Sequence, residues 1–226
     1  MIEADNTPVA EAELREDVDA FTNPVGAAGL ARVLILGDSI SIGYTTGVRR
    51  QLRGTAAVWR PSENCQHSGY HLQRLDHWLA LGDGTWDVIH INAGIWDTHM
   101  MDADGNLIRN VDEESRPGVR IRFSPSEYGD NVERILDRLA ATNARVVWAL
   151  TTPVLCRSGE RLQAVPALND VARPIMERRG IPINDLHAFV MPHAAEWQEA
   201  DRVHFNDQGN HHLAIRVAHH IRHALS

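Results

Sequence analysis

The stretch VLILGDSISIGY, residues 33–44, decides the fold. Val33, Leu34, Ile35 and Leu36 run without a polar break into Gly37, Asp38 and Ser39. A continuous apolar run that ends on glycine is the pattern of a strand buried on both faces, as in a parallel sheet covered by helices. Polar residues at the end of such a strand are either a turn or the lip of a site. Open parallel sheets bind their ligands beyond the carboxyl ends of the strands.

Working outward, the same alternation recurs. A helix is predicted over residues 44–52, and AAVWRP (56–61) reads as a second strand that Pro61 ends. Leu72, Leu75, Trp78 and Leu79 have helical spacing. DVIHINAG (87–94) is a third strand, and a helix is expected over 126–141. RVVWALT (145–151), a helix over 163–179, IPIND (181–185) and a helix over 208–225 complete the chain. Strands alternating with helices predict a parallel sheet with helices on both faces. The loops to read for chemistry are therefore 37–39, 61–69, 93–97 and 151–152.

Residues 1–30 read as an accessory segment, with a short helix over 10–21 followed by a Pro/Gly linker; residues 31–226 read as one domain with an insertion around 98–123. The chain has 226 residues and 43% hydrophobic side chains, enough to bury a core without staples. A net charge of −8 argues against a nucleic-acid partner, which needs a basic stripe. No apolar run is long enough for a membrane span. The N-terminus is acidic and shows no secretory signal, so a cytoplasmic address is expected. Two cysteines are too few for a disulfide framework. Every basic residue is arginine, which excludes Schiff-base lysine chemistry and a Walker-type phosphate loop.

EADRVHFNDQGNHHLA, residues 199–214, holds Asp201 and His204 three apart, just before a helix that Asn206 or Asp207 could cap. An Asp beside a His can orient the imidazole and stabilise its protonated form, and the His can then act as base toward a hydroxyl. Alone, this spacing usually marks a solvated loop. Ser39, at the end of another strand, supplies the missing nucleophile.

Gly37-Asp38-Ser39 after the first strand, with Asp201-Arg202-Val203-His204 before the last helix, resembles the SGNH (GDSL) hydrolase family. The likeness spans residues 32–225. ENC (63–65), LDHWL (75–79), WDVIHINAGIWD (86–97) and RVHFND (202–207) are similar to an uncharacterised bacterial subgroup of GDSL-type esterases. The resemblance implies a flavodoxin-like three-layer α/β/α sandwich with a central parallel five-stranded sheet. It also implies ester hydrolysis through a Ser39 acyl-enzyme, with His204 as base and Asp201 holding it. Neither metal nor cofactor is implied, and the substrate would be a small-molecule or carbohydrate ester, such as a short acyl or O-acetyl ester.

This sequence departs from the family at its second and third motifs. Where the family offers a glycine N–H to the oxyanion, Gln66 aligns; a backbone donor survives that change where φ is negative. Where the family reads Gly-x-Asn-Asp, this chain has Gly94-Ile95-Trp96-Asp97, so the oxyanion asparagine is missing. Asn92, ahead of Asn64, is the expected replacement, beside the N–H of Ser39 itself. Asp38, Gly94 and Trp96 are candidates to border the pocket, Asp38 also fixing its own loop. An acyltransferase, or a binding protein without catalysis, are the rival readings.

The insertion places Asp102, Asp104, Asn106 and Glu113 at several positions of a calcium loop, but Leu107 stands where glycine is required. A tight Asp-Gly turn is the better reading, with residues 106–110 and 119–123 as hairpin strands leaning toward the pocket. Among thirteen histidines, those of the last helix are expected to face solvent and His90 to sit in the core. His67, His71 and His99 fall near the presumed site. Arg157 and Arg161, in the loop after residues 151–156, could meet an anionic substrate, although a surface arginine is the default reading. Cys65 borders the second loop but lacks the basic partner a nucleophile needs.

Overall fold

β1, Ala31–Leu36, is the strand that residues 33–36 announce, and in the computed structural model it lies at the heart of the sheet. Residues 19–25, 28–108, 114 and 116–226 are described. β2 (Ala56–Trp59), β3 (Val88–Ile91), β6 (Arg145–Leu150) and β7 (Ile183–Asp185) join β1 in the order β2-β1-β3-β6-β7, every pairing parallel. The expected flavodoxin-like sandwich is therefore present.

The two-residue period of the strands builds two cores. Val33 and Ile35 point to a layer made by α1 (Ser39–Gln51) and α7 (Asp207–Leu225), where Tyr44, Val48, Leu213, Val217 and Ile221 are buried. Leu34 and Leu36 point the other way. There α2 (Ser68–Leu79), α3 (Pro125–Ala140) and α4 (Ala164–Arg179) bury Leu75, Trp78, Val132, Ile135, Leu168 and Met176.

Four of these helices begin at a side chain that satisfies an exposed N–H group, whereas α4 has no such cap. Asp38 caps α1 through Ile40 N–H, so that helix begins five residues earlier than expected. His67 Nδ1 accepts from Tyr70 N–H and starts α2, also ahead of its apolar stripe. Ser124 and Glu127 form a capping box at α3, and Asn206 caps α7 through Gly209 N–H. After β7 the sequence reading left a bare loop; the structure has the short helices α5 (Leu186–Val190) and α6 (Ala194–Trp197).

The insertion differs from the expected hairpin. β5 (Arg120–Ile121) pairs antiparallel with β4 (Met100–Met101), not with residues 106–108, and residues 109–110 lie outside the described ones. The reason is the Asp-Gly turn: Asp102 Oδ1 accepts from Asp104 and Asn106 N–H, and Gly105 takes φ 83°. This turn folds Leu107 straight back onto Met101 in a single bridge. The expected helix over residues 10–21 falls mostly outside the described residues. Its described end is bound to the domain: Arg49 donates to Asp19 O and Ala20 O, and Asn23 exchanges hydrogen bonds with the Arg60 backbone. Among the described residues no helix is long and apolar enough to cross a membrane.

α1 and α7 run side by side because Gly43 and Gly47, one turn apart, face Asn210 and Ala214. A Cβ on Gly47 would lie 2.6 Å from that of Ala214. Helix propensity alone favours any residue but proline over glycine here, by less than about 1 kcal/mol for valine. Packing decides otherwise: Gly47→Val is expected to lower the urea-unfolding free energy by about 1–3 kcal/mol through overpacking. A variant as stable as the parent would show that this contact does not set the helix spacing.

Candidate active site

The site grows from two helix starts at one rim of the sheet. Ser39 is the first residue of α1, so its N–H has no partner within the helix and faces outward. Asp38 is 1% exposed. It was a candidate to border the pocket, but it is buried beneath the loop and caps α1 instead. Burial lifts its carboxyl to about 6, against the lowering effects of the Ile40 N–H bond and of His204 and Arg60.

Arg60, which the sequence reading passed over, braces this loop from below. Its fully buried guanidinium donates to Gly37 O, Ser41 Oγ, Thr45 Oγ1, Pro61 O and Glu63 O. One side chain thereby ties the first loop, the first turn of α1 and the second loop together. An arginine just before the proline that ends β2 was the only hint in the sequence.

The second helix start brings the base. Asp201 Oδ1 accepts from both Val203 and His204 N–H at 2.9 Å, which curls the loop so that the two side chains meet. His204 Nδ1 then lies 2.6 Å from Asp201 Oδ2, and His204 Nε2 lies 2.8 Å from Ser39 Oγ. With Nδ1–H donating to the carboxylate, Nε2 holds the lone pair and accepts from the serine hydroxyl. Burial pushes Asp201 upward, but the hydrogen bonds from His204 and Val203 outweigh it and hold the carboxyl below its ordinary value. Arg202, between them, sits at φ 55°. Its carbonyl accepts from Leu155 N–H and its own N–H donates to Glu199 O, so both sides hold the strained residue in place. The side chains of Asp201 and His204 are half exposed, which leaves the rim open to a bulky alcohol.

The oxyanion candidates separate by what their protons already do. Asn92 Nδ2 donates to Ala149 O at 2.7 Å and to Thr151 Oγ1 at 3.1 Å, so both protons are spent joining β3 to β6. That corrects the expectation for Asn92. Gln66 has φ 52°, not the negative φ that reading required, and its N–H donates to Asn64 Oδ1 at 2.8 Å. The side-chain oxygen of Asn64 thus holds the left-handed turn, while its Nδ2 donates to no other of the described residues. Cys65 N–H donates to Gly37 O and lays this loop against the first. Ser39 N–H and Asn64 Nδ2 are the candidates with protons to give.

The remaining candidates divide between structure and rim. Gly94 is buried, and a Cβ there would overlap Thr151 Oγ1, so it packs and does not border a pocket. Asp97 is buried and accepts from Ser68 N–H and Oγ, tying the third motif to α2. His71 is fully buried against Trp78, burial taking it down to about 3, and has no place at the rim. His90 is buried beside Asn184. Cys65 is buried, which drives its thiol up to about 12. Trp96 is half-buried, its ring 4.9 Å from that of His99. On α7, His211, His219 and His223 are exposed, whereas His212 stacks on Trp197 at 4.5 Å.

A doubly wound sheet carrying a serine, a histidine and an aspartate in hydrogen-bonded sequence at its carboxyl rim defines a hydrolase of the SGNH type. Residues 35–212 match the GDSL-like lipase/acylhydrolase family, and the chain belongs to it. Solved structures agree on the fold. A lipase/acylhydrolase from Enterococcus faecalis superposes with TM-score 0.66 at 19% identity, over 87% of this chain and 98% of its own. The acetyl xylan esterase AlAXEase gives 0.66 at 16%, over 84% and 99%. A catalytic mutant of an acetylxylan esterase from Geobacillus stearothermophilus gives 0.65 at 14%, over 89% and 96%. None of the curated proteins matches in sequence.

Two expectations follow from the buried polar groups. Arg60→Met strips five acceptors of one donor group and is expected to cost about 2–5 kcal/mol in urea unfolding; a loss within error would remove the brace. Burial raises Asp97 to about 7 from an ordinary 3.8, with the Ser68 bonds opposing it. The folded chain therefore holds this proton more tightly than the unfolded one. Its contribution to stability is full below the ordinary value and falls as pH rises toward 7. The stability of the parent relative to Asp97→Asn should decline from pH 4 to about 7 and then level; a difference that is flat or rising over that range contradicts it.

Proposed function

We propose that this family member is a serine esterase that cleaves short acyl esters, O-acetyl groups on carbohydrate foremost. The observation that carries the proposal is the continuous hydrogen-bond chain from Ser39 Oγ through His204 to Asp201. The acetyl groups come from the acetylxylan esterases of the same fold, and the half-exposed rim suits a bulky leaving alcohol.

In this mechanism Ser39 Oγ attacks the acyl carbonyl while His204 Nε2 takes its proton, and Asp201 stabilises the imidazolium. The tetrahedral oxyanion is held by Ser39 N–H, at the positive end of α1, and by Asn64 Nδ2. Collapse breaks the ester C–O bond, and His204 returns the proton to the departing alcohol. Water then attacks the acyl-Ser39, giving its proton to His204, and releases the acid and free serine.

Ser39→Ala and His204→Ala are each expected to lower kcat on p-nitrophenyl acetate by about a thousandfold or more. Asn64→Ala should lower it by about a hundred- to a thousandfold. A fluorophosphonate probe should label Ser39 in the parent and not in His204→Ala. Parent protein that neither turns over any ester of a chain-length series nor reacts with the probe would refute the reading. Full activity in Asn64→Ala would refute the oxyanion assignment alone.

A further inference from the structure

Three guanidinium groups converge on residues 96–98, beside the catalytic loop. The segment after β6 leaves that loop at Leu155, whose N–H donates to Arg202 O between Asp201 and His204. Two residues on, Arg157 donates to Thr98 Oγ1 at 2.6 Å, and Arg161 donates to Thr98 O at 3.1 Å. From the other side Arg122, at the end of the insertion, donates through Nε to Trp96 O at 3.1 Å.

The charge here runs against the molecule. The chain carries a net −8, yet these arginines have few carboxylates among them. Arg161 pairs with Glu114 at 2.6 Å. Asp97 lies near Arg122 but is buried and bonded to Ser68. Among the described residues, neither Arg122 nor Arg157 has a carboxylate in ion-pair reach, Glu114 acting on Arg157 only from farther off; each gives one of its five N–H donors to a neutral oxygen. Arg157 is half-buried, and burial together with the charge of Arg161 brings it down to about 10. Holding cations half out of water and close together is unfavourable unless an anion joins them. A guanidinium fork fits a planar carboxylate. Trp96 takes the Arg122 bond on its carbonyl, and its half-buried ring packs on the core with His99 4.9 Å away, so that only its exposed part is offered to a pyranose.

We infer that Arg157 and Arg122, with Trp96 beside them, form a subsite for a carboxylate on the alcohol half of the substrate, so that the preferred ester is an acylated acidic sugar. This rests on the esterase reading and narrows it: the subsite binds the leaving group, and the Ser39 chemistry is unchanged.

The test compares an O-acetylated methyl glucuronoside with its uncharged uronamide, which differ only in the carboxylate. The parent should favour the acid in kcat/KM by about tenfold or more, and Arg157→Gln and Arg122→Gln should each bring that ratio to within about threefold of one. Arg157→Lys, which keeps the charge and loses the fork, should give a ratio between those of the parent and Arg157→Gln. A merely structural Arg157, bracing Thr98, would lower both substrates together and leave the ratio intact, which would overturn the inference; so would a parent ratio near one. If the parent hydrolyses neither sugar nor p-nitrophenyl acetate, the esterase reading is what has failed. Calorimetric binding of methyl glucuronoside against its uronamide then decides the subsite: a preference for the acid that Arg157→Gln removes supports it, and equal binding overturns it.

Discussion

The close parallel packing of α1 against α7 is the constraint on which the site depends. Gly43 and Gly47 let the two helices approach until Asn210 and Ala214 fill the places their side chains would take. Both helices begin at the same rim, one at Ser39 itself and the other just after His204. Residues 165 positions apart in the chain thereby come within a hydrogen bond. No local feature of either loop could achieve this. The meeting of Ser39 with His204 is a consequence of helix packing on one face of the sheet.

Fine positioning is paid for with local strain. Gln66 and Arg202 both sit at positive φ without being glycine, a conformation that costs on the order of 1–3 kcal/mol each. Gln66 is held by the Asn64 side chain, and Arg202 from both sides by Leu155 and Glu199. Beneath them Arg60 binds five acceptors in a space that a hydrophobic residue could fill but not satisfy. Arg60 thereby ties the first loop, the first turn of α1 and the second loop to one another from inside.

Much of this was legible in the chain. The run of Val33–Leu36, the apolar strand at 88–91 and the alternation with helices gave the sheet, since burial on both faces leaves an unmistakable signature. Ser39, Asp201 and His204 were singled out only in combination, through the resemblance of the first and last motifs to the family, since Ser and Asp are also the ordinary residues of turns and caps. Helix starts were read late wherever the cap was a residue other than the apolar stripe, as at Asp38 and His67. Asn92 was misjudged because a sequence shows a side chain's donors but not the acceptors, here Ala149 and Thr151, that a neighbouring strand brings to them. Arg60 was missed for the same reason: its partners lie on three segments. The negative φ expected for Gln66 failed because Asn64, two residues earlier, could stabilise the opposite turn.

The account stands or falls on whether the serine at the head of α1 is a nucleophile with its oxyanion donors where the loops place them. A crystal structure of the protein after reaction with diethyl p-nitrophenyl phosphate measures this directly. It should show phosphorus bonded to Ser39 Oγ, with a phosphoryl oxygen in hydrogen-bond reach of Ser39 N–H and Asn64 Nδ2. An unmodified Ser39, or an adduct whose oxygen turns away from both donors, would contradict it.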